Sequence, residues 1–268
     1  MAARGNTRLW HISTPSGRAV TASQAAVTSH SGHVAMATPS AAFIADARHS
    51  PLPHHLPADI AHPEGRARPS RGANWIAAER RGRDLIVCGV LLIVTLPVAV
   101  VAAGLIKLDS PGPVFYRQAR VGRHGKTFTL LKFRSMRTDA ERDGPRWASV
   151  RDPRVTRVGG FLRLTRIDEL PQLLNVLRGD MSLIGPRPER PHFVDQLAEV
   201  VPDYQSRHDI PPGITGWAQV NYPYGASVED ARHKLTYDLY YLRHRSRGLD
   251  FRILLRTVRV VLFGIGAR

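Results

Sequence analysis

Leu85–Ile106 reads LIVCGVLLIVTLPVAVVAAGLI, 22 consecutive residues without a charge. At a helical rise of about 1.5 Å per residue, this is enough to cross a hydrocarbon core of about 30 Å, so the stretch predicts a membrane helix. Two features complicate a plain span. Pro97 sits near the middle, where it removes a helical hydrogen bond and crowds the preceding turn. Basic residues flank both ends: Arg80, Arg81 and Arg83 before it, Lys107, Arg117, Arg120, Arg123 and Lys126 after it. The positive-inside tendency would keep both flanks in the cytoplasm, which a helix that enters, bends at Pro97 and returns would satisfy. A single-pass helix kinked at proline is the alternative, since membrane helices tolerate proline. Charge alone leaves the two open.

On the N-terminal side, residues 1–70 are rich in Ala, Ser, Thr, His and Pro, and no apolar period persists. Seven of the 12 histidines fall there: His11, His30, His33, His49, His54, His55 and His62. A metal-binding tail is one reading; the composition favours a disordered low-complexity extension. The start lacks the compact apolar run and cleavage site of a signal peptide. The whole chain carries 38 Lys+Arg against 22 Asp+Glu, a formal charge of +16, and all but four of the basic residues are arginine. Such an excess suits phosphates, anionic lipid or nucleic acid. A single cysteine, Cys88, excludes an internal disulfide and any multi-cysteine zinc site.

On the C-terminal side the pattern becomes α/β. Val114–Gln118 and Thr127–Phe133 are rich in β-formers, with Gly122 and Gly125 between them, which predicts a hairpin. A helix is expected from Asp168, because Leu170, Leu173, Leu174 and Leu177 fall on one stripe; Pro171 lies in its first turn and Gly179 closes it. A second is expected from Ser227 to about Arg245, with Ser227 and Asp230 as a capping box. A last one, from Asp250 to about Phe263, is mostly apolar with Arg252, Arg256 and Arg259 to one side. A core helix and an interfacial one on anionic lipid both fit, and the segment from Leu85, which already brings the chain to a membrane, favours the interfacial amphipathic helix. The chain thus divides into a tail (1–70), a membrane-associated segment (71–107) and a small α/β domain (108–268).

Gly125-Lys126-Thr127 fails as a P-loop, because the required first glycine is Arg120. No Asp-x-Asp pair and no His-Glu-x-x-His pattern occurs. The informative stretch is Arg163–Glu189, RLTRIDELPQLLNVLRGDMSLIGPRPE. Asp168 and Glu169 could be no more than a helix cap and an acid in the first turn. Their surroundings weigh against that: Arg163 and Arg166 lie just upstream, and Gly185-Pro186-Arg187-Pro188 lies downstream. Prolines on both sides restrict the backbone that carries Arg187, and a guanidinium held in this way suits bidentate phosphate binding. Ionised carboxylates among arginines can serve as a nucleophile or as ligands for Mg²⁺. A membrane-tethered nucleic-acid binder would need aromatic platforms, for which only Trp147, Phe128 and Phe133 offer themselves. Neither that reading nor a non-catalytic scaffold needs the Asp-Glu pair.

Over about residues 80–267 the sequence resembles the bacterial sugar transferases, the small monotopic polyprenyl-phosphate phosphoglycosyl transferases. The blocks that carry the resemblance are Arg80-Arg81-x-x-Asp84, Asp109-Ser110-Pro111-Gly112-Pro113-Val114-Phe115, Gln118-x-Arg120-Val121-Gly122, Lys132-Phe133-Arg134-Ser135-Met136, Asp152-Pro153-Arg154-Val155-Thr156, Asp168-Glu169-Leu170-Pro171-Gln172-Leu173-x-Asn175, Gly179–Pro188 and Pro212–Gln219. The resemblance implies a re-entrant membrane helix with a small α/β catalytic domain on the cytoplasmic face of the bacterial inner membrane. It implies transfer of a phosphosugar from a UDP-sugar to polyprenyl phosphate, starting exopolysaccharide, O-antigen or glycan assembly. Asp168 would be the nucleophile that carries the phosphosugar, and Asp168 with Glu169 would hold Mg²⁺. Lys132, Arg134, Arg166 and Arg187 would lie at the substrate phosphates. No nucleic-acid partner is implied, and a homo-oligomer is left open. The chain departs from the pattern at the helix-breaking proline, where family members often carry Ser directly before it, whereas here Leu96 precedes Pro97 and Thr95 lies one earlier. It also ends in Gly264-Ile265-Gly266-Ala267-Arg268 where an aromatic last residue is common, a difference to which no function is attached.

Overall fold

The computed structural model describes residues 73–142, 144, 146, 149, 152–222, 225 and 227–262. The expected tail over 1–70, Trp147 and Phe263 lie outside the described residues. The apolar stretch forms part of one 37-residue helix, α1 (Ala73–Asp109), which stays helical through Pro97. Near the proline, Thr95 Oγ1 donates to the Leu91 carbonyl at 2.7 Å. The hydroxyl bonded to the helix backbone beside the proline is thus that of Thr95, a contact of the kind that favours bending.

After α1 comes the expected hairpin, β1 (Phe115–Val121) and β2 (Thr127–Phe133), antiparallel with Phe115 opposite Phe133 and Val121 opposite Thr127. Then follow α2 (Arg157–Leu164), a 3₁₀ turn over Ile167–Glu169, α3 (Gln172–Arg178), β3 (Ser182–Ile184) and α4 (Pro191–Val200). A second 3₁₀ turn (Tyr204–Asp209), β4 (Gly213–Thr215), α5 (Trp217–Asn221), α6 (Val228–His244) and α7 (Arg247–Leu262) complete the order. β3 and β4 are parallel. The domain is mixed, but helices outweigh strands: among the described residues the sheets are a hairpin and one three-residue parallel pair.

The helix expected from Asp168 is split. Glu169 and Leu170 make i→i−3 bonds to Arg166 and Ile167, and Pro171, with no N–H to give, is the N-cap of α3. The missing donor at Pro171 tightens the entry into a 3₁₀ turn and delays the α-helix. Gly179 closes α3 in the left-handed region at φ 93°, as the sequence requires of a residue without Cβ. The Ser227–Asp230 capping box starts α6.

Both ends of the apolar helix pack on this one domain. Cys88, near its start, is buried with Leu130, Leu173, Val176 and Met181. Ala102 and Ile106, near its end, are buried with Phe133 and Leu162. β2 and Leu170 contribute to both clusters. Between them the helix is bare: Ile93 is 76% exposed, Val94 67% and Leu96 60%. The arginines before the apolar run are bonded to the domain as well. Arg80 and Arg83 pair with the buried carboxylate of Asp250 on α7 at 3.2 Å each. Arg81 donates to the Val176 and Leu177 carbonyls at the end of α3, and Ser182 donates to Asp84 at 2.6 Å.

Candidate active site

The site is assembled where three short pieces of chain meet. β2 brings Lys132, the 3₁₀ turn brings Asp168 and Glu169, and the loop after β3 brings Arg187. Arg166, just ahead of the turn, adopts φ 59°, a left-handed conformation that costs a non-glycine residue energy and is often kept at functional sites. That reversal lets α2 end and the acidic pair turn inward.

Glu169 is fixed on one oxygen. Lys132 Nζ donates to its Oε1 at 3.1 Å and an Arg187 guanidinium nitrogen donates to the same oxygen at 2.8 Å. Burial by itself would raise the Glu169 carboxyl, but Arg187 and Lys132 outweigh it and hold the group well below the usual carboxylate range. Asp168, only 6% exposed, goes the other way. Burial pushes its carboxyl above the ordinary value, and the charge of Glu169 adds to this against the pull of Lys132, Arg163 and Arg187. Adjacent carboxylates therefore differ in kind: one is neutralised by cations, the other is the more basic. Asp168 is not a helix cap, since the N-cap of the 3₁₀ turn is Arg166, that of α3 is Pro171, and neither turn nor helix has a side-chain cap.

Arg187 sits in a loop whose four consecutive carbonyls each accept a hydrogen bond. Gly213 N–H reaches Pro186 O at 2.9 Å and Val121 N–H reaches Glu189 O at 2.9 Å. Arg207 reaches Arg187 O at 3.0 Å, and Arg120 reaches Pro188 O at 3.0 Å. Two prolines supply no N–H of their own, so the loop is held through its acceptors, and the guanidinium it carries is preorganised.

Of the residues expected at the phosphates, Lys132 and Arg187 join the acidic pair directly. Arg166 acts on Glu169 through its charge. Arg134 belongs elsewhere: it is buried, and its guanidinium donates to the carbonyls of Ile106, Ser110 and Pro111 where α1 ends. A cation on the last carbonyls of a helix is a favourable C-terminal arrangement, which accounts for its direction away from the acids. Pro97 lies in the bare part of α1 and takes no part in the acidic cluster.

The sequence reading missed three positions. Asn175, 0% exposed, gives its Nδ2 to Thr129 O at 2.7 Å and accepts from Leu131 N–H at 2.9 Å, so its carboxamide docks α3 on the free edge of β2. Arg207 and Asp238 form a buried pair behind Arg187. A polar residue with poor helix propensity in the middle of an apolar stripe was the available signal for Asn175; nothing local marks the pairing of Arg207 with Asp238, 31 residues away.

Among the described residues no group of three His, Cys, Asp or Glu side chains is clustered for a metal. Mg²⁺ ordinarily needs only one or two carboxylates when phosphate oxygens complete its shell, and the Asp168–Glu169 pair meets that requirement. The two cations share Oε1 of Glu169.

A family model described as bacterial sugar transferase matches residues 75–264. The chain is 48% identical over 189 residues to a protein of Aeromonas hydrophila named UDP-N-acetylgalactosamine-undecaprenyl-phosphate N-acetylgalactosaminephosphotransferase, covering 70% of this chain and 45% of the relative. It is 41% identical over 192 residues to the UDP-glucose:undecaprenyl-phosphate glucose-1-phosphate transferase of Escherichia coli K12, covering 71% of this chain and 41% of the relative. The chain thus spans less than half the length of these two relatives. It is also 43% identical over 188 residues to the exopolysaccharide production protein PSS of Rhizobium leguminosarum bv. phaseoli, covering 67% of this chain and 92% of the relative.

Proposed function

The chain belongs to the bacterial sugar transferase family, and from that premise we propose that it moves a phosphosugar from a UDP-sugar to undecaprenyl phosphate, releasing UMP. The observation that carries the reading is the division of labour in the acidic pair, with Glu169 clamped by Lys132 and Arg187 and Asp168 beside it unclamped by them and more basic.

In this reading Asp168 attacks the β-phosphorus of the donor. The bond to the bridging oxygen breaks, UMP departs with the electron pair, and an aspartyl phosphosugar remains. A phosphate oxygen of the acceptor then attacks that phosphorus, the aspartyl bond breaks, and the carboxylate returns to its starting state. The two displacements let a soluble donor and a lipid acceptor use one site in turn. Arg187 and Lys132 oppose the repulsion between the incoming anion and the phosphate oxygens. Asp168 and Glu169 would hold Mg²⁺, which when bound supplies further neutralisation of those oxygens. The sugars in the relatives' names make UDP-glucose and UDP-N-acetylgalactosamine the donors to test.

The membrane helix is re-entrant in this proposal. Cys88 and Ile106 are 18 residues apart, about 27 Å along a straight helix and close to the thickness of a bilayer core. Both are gripped by one domain, and a domain bearing Arg80, Arg83 and Arg134 near those grips has no place across hydrocarbon. Keeping both flanks on the cytoplasmic face of the inner membrane removes the conflict. α7 fits the interface: Phe251, Leu255 and Val258 are exposed on it while Arg252, Arg256 and Arg259 provide charge for lipid phosphates.

The test uses the purified full chain with Mg²⁺ and each donor, without acceptor. UMP release should stop at about one per active site, with the mass of a phosphosugar gained on Asp168. Asp168→Asn should abolish both and lower turnover by orders of magnitude. Near-normal turnover by a folded Asp168→Asn protein refutes the covalent mechanism.

A further inference from the structure

We propose that Arg207 is a positioning residue for phosphosugar transfer, holding Arg187 in place by its backbone carbonyl; the inference rests on the reading of Arg187 as a phosphate ligand. Arg207 is buried, and its guanidinium serves three acceptors. One terminal nitrogen donates to the Tyr204 hydroxyl at 2.7 Å. Nε and the other terminal nitrogen donate to Asp238 Oδ2 at 3.1 and 2.8 Å. That second nitrogen also donates to the Arg187 carbonyl at 3.0 Å. The side chains of Arg207 and Asp238 are 7% and 2% exposed, so the pair is closed to solvent and to substrate.

An arrangement made only for stability would not need to end on this carbonyl. The Arg187 backbone lies between two prolines, so neither neighbour can fix it with an N–H. Gly213 and Arg120 hold the carbonyls on each side, and among the described residues the donor to the central one, on the residue whose side chain meets Glu169, is Arg207. The fork shape of a guanidinium serves three acceptors at once, whereas an ammonium is a point charge on a flexible stem. Asp238 on α6 orients Arg207, Arg207 orients the loop, and the loop aims Arg187. Misplacement of a group at reacting atoms by about 1 Å costs about 100-fold in rate, which sets the expected effect.

The experiment is a double-mutant cycle on the full chain, with undecaprenyl phosphate and whichever of UDP-glucose and UDP-N-acetylgalactosamine the wild type uses. Arg207→Lys keeps a charge for Asp238 but not the simultaneous bond to Arg187. It should lower kcat/KM for the donor about 100-fold. Added to Arg187→Ala, it should cost no more than about twofold further, because the group it positions is already gone. Should Arg207→Lys melt well below the wild type, Arg207→Met combined with Asp238→Leu replaces the ion pair by apolar volume, which proteins tolerate, and the same pattern is expected. Activity within about twofold of wild type, or a loss that multiplies in full on Arg187→Ala, overturns the positioning role. Normal activity of Arg187→Ala alone would instead show that the phosphate reading of Arg187 is wrong, and the Arg207 proposal would fall with it.

Discussion

Asn175 offers a test of how α3 is set against the hairpin. Its carboxamide imitates a strand edge, giving Nδ2–H to Thr129 O at 2.7 Å and accepting Leu131 N–H at 2.9 Å. Nδ2 is also 3.2 Å from Asp180 Oδ2. Lys132 follows directly on this edge, so the same contact registers its ammonium on Glu169. Asn175→Ala leaves the buried Leu131 N–H without a partner, a cost of about 1–3 kcal/mol, and adds the loss of the Thr129 bond and a small cavity. The sum is about 2–4 kcal/mol, a large part of the stability of an ordinary domain. At roughly 2–4 °C per kcal/mol for a domain of this size, the melting midpoint should fall by roughly 4–16 °C. Thermal unfolding in detergent, followed by intrinsic tryptophan fluorescence, measures it. The discriminating variant is Asn175→Asp, which has nearly the same shape. It keeps an acceptor for Leu131 but turns a carboxylate oxygen toward Thr129 O and Asp180, burying an unpaired charge. It should therefore be less stable than Asn175→Ala. If Asn175→Asp is the milder of the two, packing volume rather than hydrogen bonding holds α3 on β2, and the reasoning fails.

Asp168→Asn should melt higher than the wild type at neutral pH. Because burial holds the Asp168 carboxyl above its ordinary value of 3.8, the folded state binds that proton more tightly than the unfolded chain. Wild-type stability then falls as pH rises from that unfolded value through the folded one, and the penalty is fully present above it. The advantage of the variant should shrink on acidification; a lower midpoint than wild type at neutral pH would contradict the assignment. For the membrane helix, cysteines replacing Gly82 and Pro111 in a Cys88→Ala background should react with an impermeant maleimide from the same side of sealed vesicles. Labelling from opposite faces would establish a spanning helix.

What could be read from the sequence was what depends on near neighbours. The apolar run, the hairpin around Gly122 and Gly125, the stop at Gly179 and the capping box at Ser227 each follow from residues within a turn or two, and all are present. Asp168 and Glu169 stood out for the same reason, as two acids among arginines. Which arginine serves which acid was not legible. Arg134 and Lys132 lie two residues apart on and just after β2, yet one caps the end of α1 and the other meets Glu169. The alternation of a strand would put both on one face; they part because Arg134 lies beyond the last strand residue. Arg80 and Arg83 counted in the sequence as topology signals, and the fold uses both to grip Asp250. Long-range pairing of side chains carries no local trace, and a chain so rich in arginine offers many equivalent candidates for each acid.

The anchoring of α1 also bears on the proposed use of a lipid acceptor. The second half of the helix presents Ala99, Ala102 and Ala103, whose small side chains allow close approach, to the cluster of Phe133 and Leu162 against which Ile167 also packs. Ile167 is the residue before Asp168. The proposed nucleophile is thus one residue from the cluster that this helix closes. An acceptor with its phosphate at the lipid interface then needs no transfer through bulk water, which amounts to a raised local concentration at the attacking distance. The same anchoring accounts for the long bare stretch between the two grips. Val90, Ile93, Val94, Leu96, Val100 and Val101 are each more than half exposed, the apolar surface that the proposed re-entrant helix would give to lipid while both of its ends stay held on the domain.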